Sequence, residues 1–132
     1  MAYNIVVLAK QVPDTSNITG KAMTDEGTVN RAALPTIFNP EDLLALEMAL
    51  DIKERYGAVI TVITMGPPKA ADILRASLYK GADKGILLSD RALAASDTLP
   101  TSLALAHAIK ANGPFDLVLC GRQAIDGDTA QV

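Results

Sequence analysis

The sequence contains a single cysteine, Cys120, and a single histidine, His107, among 132 residues. One cysteine cannot form an internal disulfide, which is typical of a chain in a reducing compartment, so we expect a cytoplasmic protein. His107 has no second histidine or cysteine at ligand spacing and does not predict a metal site. We interpret Cys120 as a small buried residue at the end of a strand.

Basic residues and long apolar runs are also scarce. Lysine and arginine total 12 against 15 aspartate and glutamate residues, and no basic cluster offers the face that a nucleic-acid backbone requires. No apolar run reaches the about 18 to 20 residues of a membrane span. The first apolar run ends at Lys10 without a basic segment before it, which does not predict a signal peptide. We expect neither a nucleic-acid partner nor insertion into a membrane.

Short apolar runs alternate with helical patterns along the chain. The runs are mostly continuous, as in strands covered on both faces of a parallel sheet, and occupy residues 5–9, 58–64, 85–88 and 115–120. Helical patterns occupy residues 40–56, 67–80 and 98–112. This order predicts an open, mainly parallel α/β sheet with helices on both faces, in one domain over residues 1–132. The polar segment 15–38 predicts a β-hairpin excursion with its turn at Asp25-Glu26-Gly27.

Local signals mark the ends of the predicted helices. Asn39 is placed to cap the first helix, with Pro40 at the first helical position, and Asp97 is placed to cap the third. Three glycines predict left-handed helix ends, at Gly57, Gly81 and Gly113.

Residues 121–132 follow the fourth strand and should lead into another helix, which the sequence does not contain. A parallel sheet of four strands with an unfinished crossover would leave an apolar edge uncovered. We therefore expect a fold that is incomplete at the C-terminus, either as a fragment of a longer subunit or with a partner that covers the edge.

Ligands of open α/β sheets bind outside the carboxyl ends of the strands, which selects four segments. They are residues 9–14, 65–68, 89–90 and 121–132, with 39–42 added if the excursion folds back over the sheet. Within 121–132, glycines permit close backbone approach, and Thr129 and Gln131 could donate to an anion. Asp126 and Asp128 would repel a phosphate unless they point away, cap the next helix or bond a ribose. The alternative interpretation is a solvated turn with aspartate caps.

Lys10, the first charged residue after the first strand, is a further site candidate. Neither a GxGxxG nor a GxxxxGK[ST] loop is present. No residues combine into a nucleophile, a base and an orienting group, so we predict no catalytic residues.

Five ordered motifs make the whole chain similar to the N-terminal part of the electron-transfer flavoprotein beta subunit. They are Val7-Leu8-Ala9-Lys10-Gln11-Val12-Pro13-Asp14, Asn39-Pro40-Glu41-Asp42 with Ala45-Leu46-Glu47, Thr64-Met65-Gly66-Pro67-Pro68, Leu74-Arg75-Ala76 with Gly81-Ala82-Asp83, and the run 121–132. The last motif is highly specific to that family.

The resemblance implies a Rossmann-like domain that binds an adenine nucleotide, either AMP or a second FAD. It implies pairing with an electron-transfer flavoprotein alpha subunit that holds the redox FAD, and electron exchange with flavin dehydrogenases of the acyl-CoA type. Gly66-Pro67-Pro68, Asp97-Thr98 and residues 126–129 look more like electron-bifurcating members, in which NADH reduces the second FAD. Pro100 and Ala95-Ser96 depart from that pattern.

The resemblance also implies which residues form the nucleotide pocket. Ala9 would let the adenine approach the strand end, residues 39–42 would edge the base or ribose, and the 127–132 amides with the Thr129 hydroxyl would hold the phosphate. The predicted cofactor-binding residues are Ala9, Lys10, Asn39, Pro40, Glu41, Asp42, Met65, Gly66, Gln123, Ala124, Ile125, Asp126, Gly127, Asp128, Thr129, Ala130, Gln131 and Val132.

Two other functions fit the same architecture. One is an adenine-nucleotide-binding regulatory module of the universal-stress-protein kind, a homodimer without a redox role. The other is a nucleotide hydrolase or transferase, which would need a catalytic triad, a metal cluster or a phosphate-loop lysine, and the sequence shows none of these.

Overall fold

The computed structural model describes residues 2–14, 35–93 and 96–132. Its elements follow in the order β1 (Tyr3–Leu8), β2 (Gln11–Pro13), β3 (Thr36–Phe38), α1 (Pro40–Tyr56), β4 (Ala58–Met65), α2 (Ala71–Lys80), β5 (Lys84–Leu88), α3 (Thr98–Asn112) and β6 (Leu117–Cys120). The bounds predicted for α1 and α3 are confirmed. An antiparallel pair of β2 and β3 is present, but β2 lies before the predicted excursion of residues 15–38, and the predicted turn at residues 25–27 lies outside the described residues.

The second predicted helix begins later than the sequence suggests. Pro67 and Pro68 lack backbone N–H groups, and the chain first forms a 3₁₀ turn over Pro68–Ala70. The Ala70 N–H donates to the Pro67 carbonyl at 2.8 Å. Regular α2 follows from Ala71.

The main sheet has four parallel strands in the order β5-β4-β1-β6. From β1, the next strands along the chain, β4 and β5, are added on one side of the sheet. The last strand, β6, then lies on the other side of β1. This reversal separates the loops that follow β1 and β6, and such a point opens a crevice at the carboxyl ends of the strands.

Both faces of the sheet are covered by helices, as predicted. Ile5 and Val7 of β1 belong to a buried cluster with Leu46 of α1, and residues of α2 join the same cluster. Val6, which points to the opposite face, packs in a second cluster with Leu105 of α3. The continuous apolar run of β1 is thus explained by burial on both sides.

The predicted helix ends are confirmed in part. Gly57 and Gly81 have positive φ values of 81° and 127°, which favour glycine. Gly113 does not: its φ is −79°, so α3 ends in extended backbone and the left-handed prediction was wrong there. Asp97 caps α3 by accepting from the Thr98 N–H at 2.8 Å. Asn39 occupies the N-cap position of α1, but its side chain makes no capping bond.

An ion pair ties the last turns of α1 to the segment before β5. The Lys53 Nζ donates to the Gly81 carbonyl and to the Asp83 carboxylate, both at 2.9 Å. Asp83 also accepts from the Ile60 N–H at 2.8 Å. Burial raises the pKa of the Asp83 carboxyl, but the bonds from Ile60 and Lys53 outweigh it, and the pKa lies below its ordinary value.

Candidate functional site

A cleft of about 810 Å³ lies at the carboxyl ends of the parallel strands. Residues at the ends of β1, β4, β5 and β6 line it, namely Leu8, Met65, Leu88 and Cys120. The cleft is therefore at the reversal of strand order, where ligands of open α/β sheets bind. Its volume falls within the range of about 300 to 1,000 Å³ that is common for small-molecule sites.

The structure brings most of the predicted site residues to this cleft. Those that line it are Ala9, Lys10, Asp42, Met65, Gly66, Gln123, Ala124, Gly127, Asp128, Thr129, Ala130, Gln131 and Val132. Five predicted residues do not line it, namely Asn39, Pro40, Glu41, Ile125 and Asp126. The positions chosen from topology thus converge, although residues 9 and 129 are far apart in the chain.

The first turn of α1 holds the ends of β1 and β6 through one carboxylate. Asp42 is only 8% exposed. Its Oδ2 accepts from the Lys10 N–H and its Oδ1 from the Gly121 N–H, each at 3.0 Å. Burial raises the pKa of the Asp42 carboxyl above its ordinary value, and these hydrogen bonds offset only part of that rise.

Asn39 and Glu41 hold the loop that follows β6. Asn39 is fully buried; its Nδ2 donates to the Gln123 carbonyl at 3.0 Å, and its Oδ1 accepts from the Ile125 N–H at 3.1 Å. The Glu41 carboxylate accepts from the Gln123 N–H at 2.9 Å. These side chains are occupied by the protein's own loop, while their contact with a base or ribose stays a prediction.

Asp126 and Asp128, the two carboxylates that could repel a phosphate, both have partners within the protein. The Lys10 Nζ pairs with Asp126 Oδ1 at 2.9 Å, and the Asp126 side chain is 5% exposed. The Gln123 side-chain amide donates to the Asp128 carboxylate. Asp128 and Ala130, which line the cleft, have φ values of 59° and 55°, in the left-handed region that residues other than glycine seldom adopt.

The side of the cleft that is formed by the turn after β5 and by the start of α3 was predicted less completely. It includes residues that our site prediction did not contain: Arg91, Leu93, Ser96, Asp97, Thr98, Thr101 and Leu105. They come from the turn after β5 and from the first two turns of α3. The sequence did carry a signal for them, because the N-terminus of a helix that follows a parallel strand faces the same crevice as the strand ends.

Cys120 corrects one sequence-based interpretation. We predicted a buried thiol, but Cys120 is exposed and lines the cleft, because β6 is an edge strand of the described sheet. Partial burial, and secondarily the negative charge of Asp42, raise the pKa of the Cys120 thiol. The thiol is therefore protonated at neutral pH and is a poor nucleophile.

Neither a cluster of metal-binding side chains nor a membrane-spanning helix is found in the described ranges, 2–14, 35–93 and 96–132. No group of three or more histidine, cysteine, aspartate or glutamate side chains within them could hold a metal ion. None of the helices described there is long and apolar enough to cross a membrane.

The strand order and the cleft at its reversal define a Rossmann-like α/β domain. Residues 26–132 match the electron transfer flavoprotein domain, and the chain belongs to that family. This confirms the resemblance seen in the five motifs, and it does not favour the universal-stress-like alternative.

Three relatives illustrate the similarity. The chain is 52% identical to the protein FixA of Bradyrhizobium diazoefficiens over 98% of its length and 46% of the relative. It is 52% identical to the electron transfer flavoprotein subunit beta of Clostridium acetobutylicum, over 98% of this chain and 49% of that one. It is 54% identical to the caffeyl-CoA reductase-Etf complex subunit CarD of Acetobacterium woodii, over 97% and 48%. The chain thus spans about half the length of the curated relatives it matches.

Proposed function

We propose that this chain is the nucleotide-binding part of an electron-transfer flavoprotein beta subunit. The observation that carries the proposal is the cleft of about 810 Å³ at the reversal of strand order, lined by the family-specific run that follows β6. In this proposal the cleft binds the adenosine and phosphate groups of AMP or of a second FAD.

The chemistry of the cleft supports a nucleotide. Ala9 has a small side chain at the end of β1, which leaves room for a flat base above the sheet. Because Lys10 and Gln123 engage Asp126 and Asp128, the carboxylates of the loop are directed to protein partners. The N–H groups of Gly127 and Asp128 already donate within the loop, to Asp126 Oδ1 at 2.8 Å and to the Ala124 carbonyl at 3.0 Å. In this proposal the backbone N–H groups of residues 129–132 supply uncharged donors for a phosphate, and the Thr129 hydroxyl adds a further donor.

Two features of the cleft favour an anion such as phosphate, although the cleft has no cluster of basic residues among the described positions. Arg91 and Arg122 line the cleft and are exposed, and the Arg122 side chain also pairs with Glu41 at 3.5 Å. In this proposal either arginine can approach an anion. The N-terminus of α3 also faces the cleft, and its dipole favours negative charge. The positive charges of the arginines and the dipole of α3 offset the negative charges of Asp90 and Asp97, which also line the cleft.

Redox chemistry in this proposal belongs to flavin, and the protein supplies position and electrostatics. The whole subunit would pair with an alpha subunit that carries FAD and would exchange electrons with flavin dehydrogenases. The relative CarD is named as a subunit of a caffeyl-CoA reductase-Etf complex, which supports a dehydrogenase that acts on CoA esters. A more specific version of the proposal is that the second nucleotide is an FAD that NADH reduces, as in electron-bifurcating members of the family.

Co-expression of the full-length subunit with its alpha subunit tests the proposal. We expect a yellow complex that releases, on denaturation, an adenine nucleotide in addition to the FAD of the alpha subunit. AMP as the second nucleotide would exclude the bifurcating version, whereas a second FAD and bleaching by NADH would support it. A colourless homodimer that retains ATP would contradict the proposal and support a regulatory module.

A further inference from the structure

Asp42 joins the two strands that flank the reversal of the sheet. Its two carboxylate oxygens accept from the N–H groups of Lys10 and Gly121, the residues at which the chain leaves β1 and β6. Both partners are donors, and an ionised carboxylate offers each of them an acceptor oxygen. The spacing of these two N–H groups is therefore set by the width of one carboxylate.

Gly121 makes this arrangement possible. A Cβ atom at this position would lie 2.6 Å from Asp42 Oδ1, 2.7 Å from the Glu41 Cβ and 2.8 Å from the Asp42 backbone nitrogen. Two of these three neighbours are rigid parts of α1, so a side chain at position 121 would force the loop away from the helix. The sequence thus brings the backbone at position 121 into direct contact with the first turn of α1.

We propose that Asp42 is a positioning residue that fixes the separation of the β1 and β6 ends, and so the width of the nucleotide cleft. This rests on the proposed function, because the ligand in question is the nucleotide. Asn39 and Glu41 extend the same effect along the loop through their bonds to Gln123 and Ile125. The first turn of α1 then acts on the nucleotide through the loop, by directing the amides of residues 129–132.

The test uses Asp42→Asn in the full-length subunit, with AMP as the probe. The asparagine NH₂ group would face one of the two N–H donors, so one hydrogen bond is lost with little change of shape. We expect AMP affinity to fall about tenfold, the scale of one hydrogen bond to a charged group. We also expect exchange of the Gly121 or Lys10 amide hydrogen to accelerate by about tenfold or more.

Asp51→Asn is the matched control. Asp51 is an exposed aspartate of the same helix that pairs with Arg55 at 3.1 Å, so the substitution removes the same charge away from the cleft. It should leave AMP affinity and both amide exchange rates unchanged. Gly121→Ala provides a second variant that leaves Asp42 intact, and it should lower AMP affinity in the same direction.

The outcomes are distinct. An AMP affinity of Asp42→Asn within about twofold of the wild type would overturn the proposal. It would also be overturned if the loss of AMP affinity in each of the three variants simply paralleled that variant's loss of stability, measured as its unfolding midpoint. If the wild-type subunit bound neither AMP nor FAD, the proposed function would fail. The exchange rates would then still decide the positioning role, because unchanged exchange at Gly121 and Lys10 in Asp42→Asn would overturn it and accelerated exchange would sustain it.

Discussion

Replacement of Asn39 by alanine should lower the free energy of unfolding by about 2 kcal/mol. The Asn39 side chain is fully buried and makes two hydrogen bonds to the backbone of the loop after β6, at 3.0 and 3.1 Å. A net value of about 1 kcal/mol for each bond gives the total, and any backbone group that stays buried without a partner would increase the loss. Urea unfolding followed by circular dichroism measures the change.

The same substitution at Asn112 is the control for this prediction. The Asn112 side chain donates to the Ala108 carbonyl at 2.7 Å, but the residue is exposed and water can replace that bond. We expect its change to stay within about 0.5 kcal/mol. A loss below about 0.5 kcal/mol for Asn39→Ala, or a loss equal to that of the control, would refute the reasoning that Asn39 fixes the loop.

Three further predictions concern the core, acid stability and the loop. Leu46→Ala should cost about 2 to 5 kcal/mol, because Leu46 is fully buried between α1 and the sheet, and a loss under about 1 kcal/mol in urea unfolding would contradict this packing. Because the folded pKa of Asp83 is depressed, its stabilisation is present above the ordinary value of 3.8 and is lost as the pH falls through the lower folded pKa. Asp83→Asn should therefore be less stable than the wild type at neutral pH, and the difference should shrink below pH 3.8, whereas a constant difference would argue against it. The double variant Asp128→Ala with Thr129→Ala should retain less adenine nucleotide per full-length subunit, and unchanged content by chromatography would remove the loop from the site.

Local chemistry explains why much of the fold was predictable. Pro40 and Asp97 marked the starts of α1 and α3 because proline and a capping aspartate act on the backbone within one turn. Gly57 marked an end because the chain takes a positive φ there, which glycine adopts without steric cost. Gly113 failed as a signal because a glycine can also end a helix in extended backbone, and the following Pro114 restricts it to that region.

The site was predictable in position but not in its contacts. Topology placed residues 9–10, 65–66 and 121–132 around one cleft, and in the structure residues 9–10, 65–66, 121–124 and 127–132 line it. The roles of Asn39 and Asp42 depended on partners about eighty positions away in the chain, which local patterns do not encode. A cap residue and a tertiary hydrogen-bond donor look the same in the sequence, and only the packed loop distinguishes them.

Titration of the isotope-labelled, full-length subunit with AMP, followed by amide chemical shifts, tests most directly whether this cleft binds an adenine nucleotide. The account predicts saturable shifts concentrated at Ala9, at Gly127 and Thr129 in the loop after β6, and at Thr98 in the first turn of α3. Shifts confined to the amino ends of the strands, or no saturable shifts with either AMP or FAD, would contradict it.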